Sequence, residues 1–201
     1  MFDAVRFDRR SFLRVGTAGL AGLVLNPVRG QDKNDKKPTQ FQIACMTLPY
    51  SQFPLDRALS GIKGAGYQFV AWGTSHKEAD GKNVPVMAAD APAEQAKSLG
   101  KKCRDMGLEP LMMFSGIYPE NPKAPEVLKQ RILQAAAAGI PQVLTFGHTK
   151  GGNKELWLER FRALAPLCKD NNVLLVVKQH GGETGTGEAC AEITRQIKHD
   201  F

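Results

Sequence analysis

The stretch VLLVVKQHGGETGTGEACAEI (residues 173–193) decides the fold class. Val173 to Val177 form a short, unbroken apolar run of strand formers. Lys178, Gln179 and His180 end it, a Gly-rich turn follows, and Ile193 and Ile197 recur at helical spacing. This is one β–α unit: a buried strand handing over to an amphipathic helix. Strands of that kind pair in parallel and need crossover helices to do so.

Upstream the pattern recurs four times. The apolar runs are FQIACMTL (41–48), FVAW (69–72), LMMF (111–114) and VLTF (143–146). Between them lie helical stripes: Leu55, Leu59 and Ile62; Ala96, Leu99, Cys103 and Met106; Leu128 and Ile132; Trp157, Phe161, Leu164 and Cys168. Gly64, Gly66, Gly107 and Gly139 mark helix ends, Asp90 with Pro92 and later Pro125 mark starts, and Pro166 predicts a kink or an early stop. The second unit carries an extra loop over roughly 73–90, with His76, Lys77, Glu78 and Asp80. Long loops in compact domains are commonly functional.

The expectation is therefore an α/β fold with a parallel sheet, either doubly wound or a TIM-type barrel with about five of its eight β–α units. The residues after the first run, Met46-Thr47-Leu48-Pro49-Tyr50, lack the Gly-rich turn of a dinucleotide-binding fold. The chain ends where a sixth strand is due, which predicts a C-terminally truncated barrel.

The N-terminus reads as an address. Arg9 and Arg10 precede Ser11-Phe12-Leu13, an apolar stretch runs from Val15 to Leu25, and Val28 and Gly30 offer a small-residue end. RRSFL resembles a twin-arginine export signal over residues 1–30. Residues 31–40 (QDKNDKKPTQ) read as a polar linker, and 41–201 as the folded part. The protein is thus expected in the periplasm or outside the cell, with no membrane attachment once the signal is removed. The net charge of +7 divides into +3 from residues 1–30 and +4 from the rest. So modest a balance argues against a nucleic-acid footprint. The four cysteines, at 45, 103, 168 and 190, form no CxxC pair and read as buried thiols.

From Phe41 onward, FPLDRALSGIKGAGYQFV (53–70) and LAPLCKDNNVLLVVKQHGG (164–182) resemble the xylose isomerase-like TIM barrels, the sugar phosphate isomerase/epimerase group. The resemblance implies a sugar or sugar-acid isomerase or epimerase working by proton transfer next to a carbonyl. It also implies a divalent metal in many family members. Here Ala71 stands near the end of strand two and Lys178 at the end of strand five, where those relatives place Glu. No metal ligand is therefore assigned to this chain.

In such barrels the active face lies at the C-terminal ends of the strands. Lys178, His180 and Glu183 are the candidate catalytic residues, with His180 or Glu183 as base and Lys178 as oxyanion stabiliser. Lys178 follows five apolar residues, so a buried stem is expected, which would also suit a Schiff-base lysine. Trp72, His76, Tyr118, His148, Gly181 and Gly182 are candidate substrate contacts. The aromatic rings, with Phe114 and Phe146, can stack on a sugar, and the glycines can admit an anion near a helix N-terminus. Each also has a plainer reading: core aromatics, loop histidines, a lysine snorkelling to water, a Gly-rich turn. Two other functions stay open: a non-catalytic carbohydrate-binding barrel, and a phosphodiesterase, which the charge and the export signal disfavour; under any of them a homo-oligomer is open as well. Replacing both Arg9 and Arg10 by Lys is expected to block export in a cell-fractionation assay. Unchanged export would remove the twin-arginine reading.

Overall fold

A computed structural model describes residues 41–200. The expected signal (1–30) and linker (31–40) lie outside the described residues. Five strands form one parallel sheet in spatial order β1-β2-β5-β6-β7: β1 (Ala44–Met46), β2 (Phe69–Trp72), β5 (Glu109–Phe114), β6 (Gln142–Phe146) and β7 (Leu174–Lys178). Helices follow them in turn: α1 (Leu55–Gly64), α2 (Ala93–Asp105), α3 (Ala124–Ala138), α4 (Lys154–Asp170) and α5 (Gly187–Ile197).

The two faces of the sheet follow from the pleat. Cys45 pairs with Val70, Trp72 with Met113 and Val143 with Leu175, and all of these pack in the core against the helices. The alternate residues Met46, Ala71, Met112 and Gln142 face the other way and line a cavity of about 280 Å³. The β2–β5 ladder slips between Val70 and Ala71. Pro110 sits opposite Val70 and has no N–H to donate, so the irregularity falls where the ladder lacks a bond.

Three local expectations are corrected. The 73–90 insertion is an antiparallel hairpin, β3 (Ser75–Lys77) and β4 (Asn83–Pro85), in which His76 pairs with Val84. Asp90 caps nothing: α2 starts at Ala93 after Pro92, with no side-chain cap. Pro166 neither breaks nor shortens α4, which runs through it to Asp170. Its ring is on the exposed side, where the carbonyl it leaves free can turn to solvent, while Leu164, Ala165 and Cys168 are buried on the other side.

All four cysteines are free; Cys103 and Cys168 are buried, Cys45 and Cys190 only half-buried. Burial pushes the Cys168 thiol up to about 11, and the Cys103 thiol in the same direction.

One buried polar node ties the hairpin segment to the barrel. Arg131, on α3, donates to the carbonyls of Met87 (2.8 Å) and Ser115 (3.2 Å) and to Gln134 Oε1 (2.8 Å). Gln134 Nε2 donates to the carbonyls of Ala88 and Ala91, each at 2.9 Å. Loss of solvent lowers the Arg131 pKa, yet the guanidinium stays charged and its bonds are charge-assisted. Arg131→Met is expected to lower unfolding free energy by about 2–4 kcal/mol in urea titration, since it strands buried acceptors. A loss below about 0.5 kcal/mol, the size of an ordinary surface change, would contradict this.

Candidate functional site

The C-terminal ends of the strands carry a chain of rings. Phe114 and Phe146 lie 4.8 Å apart, and Tyr118 meets Phe146 edge-on at 4.9 Å. Tyr118 also stacks on His148 at 3.8 Å, with planes 20° apart. On the other side His180 stands edge-on to Phe146 at 5.2 Å. Phe146 is thus the hub between two histidines. It pairs in register with Lys178, so both point to the inner face at the last rung of the β6–β7 ladder.

His180 is oriented by its backbone neighbour. Its Nδ1 lies 2.7 Å from the Gly147 carbonyl, which can only accept, so Nδ1 carries the proton and donates. Nε2 then keeps its lone pair, on an exposed ring. That is the geometry of a general base with a fixed tautomer.

Lys178 is exposed, contrary to the expected buried stem. It takes the last position of an edge strand, where nothing packs over it among the described residues, and the Schiff-base reading that rested on burial goes with it. Its backbone remains in register with Phe146, at the last rung of the ladder.

The glycines are also corrected. Gly182 N–H donates to the Thr149 carbonyl (3.0 Å), Glu183 N–H to the Gly151 carbonyl (3.1 Å), and Thr184 N–H to the Gly181 carbonyl (2.9 Å). A Cβ on Gly182 would fall 1.8 Å from the Gly151 oxygen, and its φ of +50° favours glycine as well. These glycines let two loops of the same chain close on each other, and the N–H groups of Gly182, Glu183 and Thr184 are spent there rather than held for an anion. Glu183 is exposed and its stem packs at Gly152, against the β6–α4 loop.

Trp72 and His76 stand elsewhere. Trp72 is 1% exposed and on the helix-facing side, paired with Met113, so it builds core rather than a sugar platform. His76 is also 1% exposed; its Nδ1 bonds the Phe53 carbonyl at 2.8 Å, anchoring the hairpin to the first loop. The structure therefore brings together Tyr118, His148, His180 and Lys178 around Phe146, and leaves Trp72 and His76 out.

Glu120 escaped the sequence reading. Its Oε2 is buried, has no hydrogen-bond partner, and lies 3.7 Å from His148 Nε2. One acidic residue in a loop with no motif around it carries no signal beyond its nearness to Tyr118.

No protein-family model and no curated protein matches this sequence. Solved structures do. A xylose isomerase-like TIM barrel protein from Mycobacterium smegmatis, in complex with magnesium, superposes with a TM-score of 0.58 at 16% identity, over 79% of this chain and 62% of that one. The described residues form part of an α/β barrel. The probable 3-DHS dehydratase AsbF of Bacillus anthracis (TM-score 0.57, 15% identity, 80% and 60% covered) and the zinc-bound IOLI protein (0.58, 12%, 80% and 60%) agree. The chain spans about three fifths of the length of these structures.

Two of those structures hold a metal. Among the described residues no group of three or more His, Cys, Asp or Glu side chains could hold an ion. Lys178, at the end of β7, offers an ammonium instead. Lysine and a dication 4 Å apart repel by about 8 kcal/mol at an effective dielectric of 20, but by only about 2 kcal/mol in water. With Lys178 exposed, the lower figure applies, and the missing ligands weigh more than the repulsion. The described residues do not fit a metal centre. Elemental analysis of the purified chain is expected to find no stoichiometric zinc, manganese or magnesium. One equivalent, lost in His180→Ala, would show that the mouth is a metal site after all.

Proposed function

We propose that this protein moves a proton next to a carbonyl in a small sugar or sugar acid, as an isomerase or epimerase. His180 carries the reading: its Nδ1–H is committed to Gly147 O, and its basic Nε2 is open at the barrel mouth. Nε2 takes the proton from the carbon beside the carbonyl. The electron pair of that C–H bond becomes the new C=C bond, and the carbonyl oxygen takes the charge. Lys178, at the same end of the inner face, is the cation that stabilises this oxyanion. His180 then returns the proton to the neighbouring carbon in an isomerase; in an epimerase the enediolate would first have to turn over at the open mouth, so that the same nitrogen meets its other face.

The aromatic chain from Phe114 to His148 supplies apolar faces for a sugar ring. Dehydration beside a carbonyl begins with the same proton removal, and one solved neighbour bears that activity in its name. The arrangement supports a carbohydrate as the small-molecule partner, and the Arg9-Arg10 leader supports work outside the cytoplasm.

The test is proton NMR in D₂O with a panel of aldoses, ketoses and sugar acids. For at least one compound the signal next to the carbonyl is expected to wash out. His180→Gln is expected to slow this by about 100-fold or more. Binding by calorimetry without exchange in any compound would replace the reading with a non-catalytic carbohydrate-binding barrel. Exchange unaffected by His180→Gln would remove His180 as the base.

A further inference from the structure

The Glu120 carboxylate is held with more care than a surface loop requires. Arg160, on α4, donates from one nitrogen to the carbonyls on both sides of it, Pro119 and, at 2.7 Å, Asn121. Glu120 Oε1 accepts from the Asn153 N–H at 3.2 Å, and Asn153 in turn caps α4 by accepting from the Leu156 N–H at 3.0 Å. Asn121 Oδ1 accepts from the Lys123 N–H at 2.9 Å, which stiffens the loop further. The result is a backbone clamped to α4 that presents one carboxylate with a satisfied oxygen and a dry, unpaired one. Glu120 is 17% exposed at the side chain.

An ionised carboxylate has only acceptors, and a buried oxygen without a donor is costly. His148 Nε2 lies 3.7 Å from Oε2, a little beyond a hydrogen bond and within reach of a small ring shift. The imidazole is itself positioned from the other side by the Tyr118 stack.

We infer that Glu120 is a positioning residue that holds His148 as the Nε2–H tautomer, leaving Nδ1 as its acceptor nitrogen. The two histidines flanking Phe146 then carry opposite tautomers, because the Gly147 carbonyl holds His180 as Nδ1–H. Resting on the reaction proposed above, this gives His148 a task that His180 cannot perform at the same time. Interconverting an aldehyde and a ketone moves a carbon-bound proton and also an oxygen-bound one. His180 carries the first. His148 Nδ1 takes the hydroxyl proton as the second C=O forms, and the proton returns to the former carbonyl oxygen, so charge and atoms balance over the cycle.

The experiment is long-range ¹H–¹⁵N NMR of the histidine rings in the full chain, followed by kinetics. Wild type is expected to show His148 as Nε2–H and His180 as Nδ1–H. Glu120→Ala is expected to give a mixed tautomer at His148 with the His180 signals unchanged, which also certifies the fold. Glu120→Gln, whose amide oxygen still accepts, is expected to keep the Nε2–H form. On any sugar that passes the exchange panel, Glu120→Ala is expected to lower kcat by about 10- to 100-fold with KM unchanged, and Glu120→Gln to recover part of it. His148 found as Nδ1–H in wild type, or a tautomer unmoved by Glu120→Ala, would overturn the pairing. An unchanged kcat in Glu120→Ala would overturn the catalytic role. The expected tautomers with no sugar turned over would remove the reaction and the oxygen-proton task while leaving the Glu120–His148 pair standing.

Discussion

Everything in this barrel segment depends on the two-residue period of a parallel strand held in register with its neighbours. Once Val143 is opposite Leu175 in the core, Phe146 and Lys178 are forced to share the inner face three residues later. The same alternation sends Trp72 to the helix side with Met113, one residue away from Ala71, which lines the inner cavity. Neither placement depends on what the side chains would gain as isolated groups. The helices add the load that keeps the register from slipping, since a one-residue shift would turn the Val70, Met113 and Val143 layer toward the inner face.

That constraint also explains what could be read from the sequence. The five apolar runs and the helical stripes between them were enough for the β–α order and the parallel sheet, because burial on both faces leaves an unmistakable apolar run. The strand ends were legible too, and with them Tyr118, His148, Lys178 and His180. Trp72 was misread because strand parity was not applied to it: an aromatic residue at a strand end points inward or outward depending on a register that only neighbouring strands set. His76 was misread because hairpin pairing is a tertiary event, and the loop's composition reveals little of it. The glycines after His180 were legible as a special turn, but the partner they approach, the Thr149–Gly151 backbone, is distant in kind if not in space: a second loop rather than a ligand. Glu120 was invisible because its meaning lies in Arg160 and Asn153, more than thirty residues on.

The site that results differs in character from one built on carboxylates around an ion. Its polar groups are two imidazoles, an ammonium and one sheltered carboxylate, arranged about a phenyl ring. Under the function proposed above, such a set would handle protons through tautomers set by the backbone and one side chain, with lysine as the cation. Much of its precision comes from main-chain carbonyls, of which the Gly147 oxygen is the plainest case.

The grip of Arg131 and Gln134 on the hairpin segment falls on carbonyls of Met87, Ala88 and Ala91 rather than on their side chains. A contact with the main chain is indifferent to which amino acid supplies it. The hairpin tip from Glu78 to Lys82, secured at its root in this way and exposed at its end, is therefore a place where evolution can rewrite sequence and length without loosening the barrel beneath. The hairpin follows β2 at the C-terminal end of the sheet, so under the function proposed above a change in its tip would alter what the mouth admits while the strands beneath stay as they are.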